Sequence, residues 1–60
     1  MDLTKDIGKT LKMDVEKDGQ TFHYTARILE ADDKEVKFVD KYGNTIRVPT
    51  DKITFVEESR

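Results

Sequence analysis

The sequence predicts an all-β fold, in which five short antiparallel strands form a small, strongly bent barrel with a short N-terminal helical turn and another helical turn before the last strand. Apolar and polar residues alternate with a period of two over most of the chain, which is typical of strands with one buried face. Turn-forming residues, among them Asp18, Gly19 and Gly43, separate the alternating segments. Pro49 marks a break before the final segment.

The longest alternating segment spans residues 20–33, and the predicted fold is organised around it. Its inward face carries four residues in succession: Phe22, Tyr24, Ala26 and Ile28. A strand of this length does not stay straight in so small a domain. We place the bend at Ala26, because a curved sheet leaves little room there for a large side chain. The bent strand then forms a wall shared by both halves of the barrel.

The other elements follow from the same pattern. Asp2 is expected to cap a helical turn over residues 2–8, which lays Leu3 and Ile7 over an open end of the barrel. The predicted strands lie at residues 9–17, 20–33, 35–40, 45–48 and 53–56, with a helical turn at 50–52 and a frayed polar tail at 57–60. All 60 residues are predicted to form one domain, with the barrel over residues 9–56.

The inward strand positions predict the hydrophobic core. These positions are Leu11, Met13, Val15, Phe22, Tyr24, Ala26, Ile28, Val36, Phe38, Ile46, Val48, Ile53 and Phe55. Three further apolar residues, Leu29, Val39 and Val56, are out of phase with this set. They are interpreted either as an outer patch for a partner or, for Leu29, as a residue that the bend turns inward.

Composition limits the possible functions. The chain has 11 basic and 13 acidic residues interspersed along its length, giving a net charge of −2, which argues against a nonspecific DNA packager. It has no cysteine and one histidine, His23, so thiolate or paired-histidine metal sites, nucleophile–base arrangements and bound cofactors are not expected. The protein is therefore predicted to be non-catalytic. Because it has neither a long apolar run nor a signal-like start, it is also predicted to be soluble and cytoplasmic.

This arrangement resembles the small SH3-like barrels, and within them the Sm-like group and the C-terminal barrel of bacterial ribosome maturation factors. The likeness covers nearly the whole chain and rests on residues 7–13, the Asp18-Gly19 hairpin, the bent strand over 22–32, the turn at 40–44, and residues 46–49 and 52–56. It implies a binding module that acts on RNA or in ribonucleoproteins. No Asn follows Asp32 before Val36, where Sm-like proteins carry one, so none of their RNA-contacting residues is assigned here.

A candidate nucleic-acid surface follows from the outward positions. His23, Thr25 and Arg27 share the outward face of the central strand, other strands contribute Lys12, Lys37 and Arg47, and Tyr42 lies at a loop tip. Such a surface offers cations and hydrogen-bond donors to phosphates, with His23 or Tyr42 available to stack on bases. The alternative interpretation is a solvated surface, on which Asp14 and Glu16 pair with these cations.

Three functional hypotheses therefore stand together. The leading one is an RNA or ribonucleoprotein binding module. The second is a protein-interaction or self-assembling module that uses the exposed strand edges and the patch of Leu29, Val39 and Val56. The third is a designed scaffold without a natural ligand, which the charge density, the tidy turns and the lack of cysteine favour.

Overall fold

A computed structural model describes residues 2–59 and confirms the all-β prediction. Its five strands are β1 (Thr10–Lys17), β2 (Gln20–Ala31), β3 (Glu35–Asp40), β4 (Thr45–Pro49) and β5 (Ile53–Glu58). They form one antiparallel sheet in the order β4-β3-β2-β1-β5. Two short 3-10 helices, Thr4–Asp6 and Thr50–Lys52, lie in the segments predicted to be helical turns. None of the helices in the described chain is long and apolar enough to cross a membrane.

The long strand β2 serves both halves of the sheet, as predicted. It pairs with β1 up to Arg27 and with β3 from Ala26 onwards, so the two pairings overlap at these two residues. The inner faces of all five strands meet in one core, which requires a strongly bent sheet; its members are Leu3, Leu11, Met13, Val15, Ala26, Ile28, Val36, Phe38, Val48 and Ile53. The end strands β4 and β5 do not pair with each other within residues 2–59, so the sheet is open rather than closed into a barrel.

Two of the hairpins have the predicted turn chemistry. Asp18 and Gly19 have φ values of 53° and 76°, as a type I′ turn requires. Gly43 has a φ of 85° in the three-residue loop between β3 and β4, where Asp40 N–H donates to the Asn44 carbonyl at 2.9 Å. These turns fix the register of β1 on β2 and of β3 on β4.

Asp32 organises the turn between β2 and β3. Its Oδ1 accepts hydrogen bonds from the backbone N–H groups of Lys34 and Glu35, both at 2.8 Å. These bonds, of which that from Glu35 has the larger effect, hold the pKa of the Asp32 carboxyl below its usual value, because they favour the charged form. The polar turn that the sequence predicts is thus held by one carboxylate.

The N-terminal segment differs in part from its prediction. Asp2 Oδ1 accepts the Thr4 N–H at 2.9 Å, as a capping residue does. Leu3 is buried in the core, but Ile7 is exposed, so the prediction that both cover the barrel is wrong for Ile7. In a 3-10 helix residues three apart align, whereas residues four apart do not.

The end of β4 and the end of β5 also differ from their predictions. Pro49 belongs to β4, and the Thr50 N–H donates to the Lys34 carbonyl at 2.9 Å, so the proline lies where its nitrogen faces the free edge and removes no ladder donor. The predicted frayed tail is wrong up to residue 59, because β5 runs to Glu58 and the Ser59 N–H donates to the Thr10 carbonyl. Arg60 lies outside the described residues.

Two bulges change the phase of the strands. In β2 the register shifts between Ile28 and Glu30, which leaves Leu29 as the extra residue, so the irregularity lies at Leu29 and not at Ala26. In β5 the extra residue is Thr54, because Ile53 lies opposite Val15 while the next pair joins Phe55 to Asp14. A single extra residue reverses which side chains point inward.

The bulge at Thr54 exchanges two predicted positions. Phe55, predicted to lie in the core, is 47% exposed on the outer side. Val56, predicted to lie outside, is half-buried and packs against the core opposite Met13. Both predictions are therefore wrong for the same reason.

Phe22 is a third exception, for a different reason. It is in phase with the inner face but is 39% exposed. It lies opposite Val15 near the tip of the first hairpin, where β2 has not yet met β3. Tyr24, two residues on, already contacts the core, since its ring meets that of Phe38 edge-on at 5.1 Å.

Candidate binding surface

The outer face of the sheet, defined as the side of β5, β1 and β2 that points away from the core, gathers most of the predicted nucleic-acid residues. In one row across these strands, Asp14 lies between His23 and Phe55. In the next row, Lys12 lies between Thr25 and Glu57. Alternation along each strand places both rows on the same side of the sheet.

A hydrogen bond fixes the imidazole of His23. Its Nδ1 lies 2.6 Å from Oδ1 of Asp14, while the rest of the His23 side chain is exposed. Because the carboxylate contacts the edge of the ring, the ring faces stay open to solvent. The contact orients a flat group for stacking.

Phe55 adds an aromatic ring to this surface, although the sequence did not indicate it. It lies opposite Asp14, in the same row as His23. The alternation of residues 53–56 placed Phe55 in the core, and no residue type in that segment signals the bulge that turns it outward. The ring is therefore a functional candidate that only the register of β5 reveals.

A shallow depression of about 280 Å³ lies on the outer face. Its lining joins the outer rows to the turn between β3 and β4, through Lys12, Asp14, His23, Thr25, Lys41 and Phe55. The depression thus combines two lysines, an imidazole, a hydroxyl and a phenyl ring. The alternation of the strands does not indicate Lys41, because this lysine reaches the site from the loop that also carries Tyr42.

The same turn presents Tyr42. Asp40 Oδ1 accepts hydrogen bonds from the backbone N–H groups of Tyr42 and Asn44, both at 2.9 Å. These bonds, of which that from Asn44 has the larger effect, hold the pKa of the Asp40 carboxyl below its usual value. Tyr42 is 78% exposed, and the Lys41 Nζ lies 5.3 Å from its ring centroid, within the range of a cation–π contact. The turn therefore holds an exposed ring and a lysine together at the border of the outer face.

Arg27 extends the outer face along β2. It lies between Thr10 of β1 and Val39 of β3 and is exposed. No carboxylate within residues 2–59 comes within ion-pair distance of it. Its guanidinium is thus available for a ligand.

Lys37 and Arg47 lie elsewhere. They face each other on β3 and β4, and each contacts a carboxylate: Lys37 lies 3.7 Å from Glu30, and Arg47 lies 2.6 Å from Glu35. These ion pairs are typical of a solvated surface, but the carboxylates are Glu30 and Glu35 rather than the predicted Asp14 and Glu16. The structure therefore does not bring Lys37 and Arg47 together with the other predicted residues.

The predicted apolar patch is not assembled. Val56 faces the core, Leu29 is partly exposed in the bulge of β2, and Val39 is half-buried beside Arg27. The alternative for Leu29, in which the bend turns it inward, does not hold either, because Leu29 is 39% exposed and is not among the residues packed against the core. Nor does any group of three His, Asp or Glu side chains within residues 2–59 form a potential metal site.

Comparison of the chain with protein-family models, curated proteins and solved structures gives no match.

Proposed function

We propose that this protein is a non-catalytic binding module that holds single-stranded nucleic acid, RNA in the first place, on its outer face. The observation that carries the proposal is the depression in which Phe55 and His23 lie beside Lys12 and Lys41. Aromatic rings flanked by cations form the general platform for single strands, since every base has a face that stacks. Neither a cofactor nor a metal ion takes part, and the lack of cysteine favours a reducing setting such as the cytoplasm.

The charges assign separate roles to the residues. Lys12, Lys41 and Arg27 would contact phosphates, while the rings of Phe55 and His23 would stack on bases, with Tyr42 at the border. Asp14 also lines the depression, within hydrogen-bond distance of His23 Nδ1. With a net charge of −2 on the whole chain, attraction is local, so we expect moderate affinity that falls steeply with salt.

The test uses fluorescently labelled single-stranded RNA and DNA of matched sequence, followed by anisotropy at low and moderate salt. Phe55→Leu keeps an apolar side chain and removes the stacking ring, so we expect binding to weaken by about tenfold. Lys12→Ala and Lys41→Ala should each reduce the slope of log K against log salt by about 0.7. Lys37→Ala is the matched control, because Lys37 lies outside the depression and pairs with Glu30.

Two results would overturn the proposal. One is that neither RNA nor DNA binds at low salt, or that binding does not depend on salt. The other is that Lys37→Ala weakens binding as much as Lys12→Ala does. Binding of DNA but not RNA would retain the surface and remove RNA as its ligand.

Self-association is a second candidate, favoured by the open ends of the sheet. Within residues 2–59, β4 pairs only with β3 and β5 only with β1, so each leaves one edge unpaired. Joining β4 of one copy to β5 of the next would satisfy both edges. Solution mass at two protein concentrations tests this candidate, and a strict monomer at the higher concentration would exclude it.

A further inference from the structure

The first half of β2 has an open edge in the middle of the sheet. Residues 20–25 pair with β1 on one side, but β3 reaches β2 only at Ala26. Unlike the outer edges of β4 and β5, this edge is bordered at one end by β3, which stops at Asp40 opposite Ala26. Residues 20–25 and the space beside them, called the slot below, are open to one further strand within residues 2–59.

The geometry of the hairpin determines which backbone groups face the slot. A two-residue turn is closed by a hydrogen-bonded pair, here Lys17 with Gln20, and bonded pairs then alternate with non-bonded ones. Thr21, His23 and Thr25 consequently point their N–H and C=O groups away from β1. Outside the strand ladders, none of the backbone hydrogen bonds within residues 2–59 involves these three residues. The slot thus offers three donors and three acceptors in one row.

An apolar groove lies on the inner side of this edge. Phe22 and Tyr24 line it from β2, Ile46 and Val48 line it from β4, and its volume is about 290 Å³. A strand added along β2 would direct alternate side chains into the groove, opposite Phe22 and Tyr24. The 39% exposure of Phe22 is consistent with this opening, since no strand within residues 2–59 pairs with this edge of β2 before Ala26.

The rim of the groove favours an acidic neighbour. Lys17 and Lys52 lie at its hairpin end, and neither forms an ion pair within residues 2–59. Arg47, also on the rim, is already held in an ion pair. Asp18 of the turn lies on the same rim, whereas Glu16 follows the core residue Val15 and directs its carboxylate to the other side of β1. Two free lysines therefore face one carboxylate.

We propose that this slot binds an extended segment of a partner protein as an added strand, with apolar residues at positions i and i+2 and acidic residues at the flank. The backbone groups of β2 supply affinity, and the groove selects the two inward side chains. The groove lies on the other side of β2 from the depression, although His23 and Thr25 contribute to both sites, and the proposal does not rest on nucleic-acid binding.

The test is an NMR titration of the ¹⁵N-labelled chain with a short acetylated and amidated peptide, in which valine alternates with threonine between terminal glutamates. We expect the largest amide shifts at Thr21, His23 and Thr25. Replacing the glutamates by lysines should weaken binding. Methylating the peptide nitrogens that face β2 should weaken it by about tenfold or more, because each methyl group removes a donor.

Two protein variants complete the test. His23→Pro removes one donor at the slot, where proline costs no ladder bond, and should weaken peptide binding. Lys17→Ala should weaken the glutamate-flanked peptide, whereas Lys5→Ala, remote from the groove, should not. If His23→Pro fails to fold, the N-methylated peptide tests the same hydrogen bonds on unaltered protein. Equal binding of the methylated peptide, shifts confined to β4 and β5, or no binding would each overturn the proposal.

Discussion

Substituting Ala26 by valine tests whether the shared wall of the sheet is as tightly packed as the structure indicates. Ala26 is 0% exposed and lies between Leu11 of β1 and Asp40 of β3. Strand propensity alone favours valine by up to about 1 kcal/mol, and burial of extra methyl groups would add about 0.8 kcal/mol for each carbon if space existed. Overpacking of a filled core instead costs about 1–3 kcal/mol.

The expected result is therefore destabilisation, opposite in sign to the propensity. A domain of this size has about 3–5 kcal/mol of stability, and each kcal/mol lost lowers the midpoint temperature by about 4–8 °C. Urea unfolding followed by circular dichroism measures the change. Ala31→Val is the matched control in the same strand, because Ala31 is only partly buried and should accept valine at little cost. A urea midpoint of Ala26→Val equal to or above that of the parent chain would refute the reasoning.

Three other predictions concern the bulge, the turns and the surface. Val56→Lys should destabilise the chain by about 1–3 kcal/mol more than Phe55→Lys in urea unfolding, because only Val56 faces the core; the reverse order would contradict the bulge. Hydrogen bonds from backbone N–H groups, of which that of Asn44 has the largest effect, lower the pKa of Asp40 in the folded chain. These bonds therefore stabilise the folded chain above the unfolded pKa, and this stabilisation is lost as the pH falls through the folded pKa. Asp40→Asn should accordingly flatten the stability curve below about pH 4, and an unchanged curve would argue against the turn as its source. Arg27→Ala should leave the free energy of unfolding within about 0.5 kcal/mol of that of the parent chain, because Arg27 is exposed. A larger loss would assign Arg27 a structural role.

The strands and hairpins could be predicted from the sequence because their signals are local. Alternation placed β3 at its observed bounds, and the other strands within a few residues. Asp18-Gly19 and Gly43 required positive φ, which few other residues adopt. Pairing between distant segments has no such local signal. The predicted closure of the barrel was therefore wrong, since β4 and β5 do not pair within residues 2–59.

The candidate site was predictable only in part, for a related reason. Outward positions on β1 and β2 follow from alternation, so His23, Thr25 and Lys12 were found together. Phe55 was missed because a bulge is a mismatch between two strands, and one strand's residues do not reveal it. Lys41 was missed for want of a signal that the turn folds toward β2.

A single feature, the late start of β3 on β2, links the unexpected exposures to the proposed sites. Because β3 joins β2 only at Ala26, residues 20–25 have no strand on that edge within residues 2–59, and Phe22 is partly exposed on the inner side. On the outer side, Lys41 from the turn after β3 lines the same depression as His23. The late start of β3 therefore leaves room for a ligand on each side of β2, and Tyr24 borders both the depression and the groove.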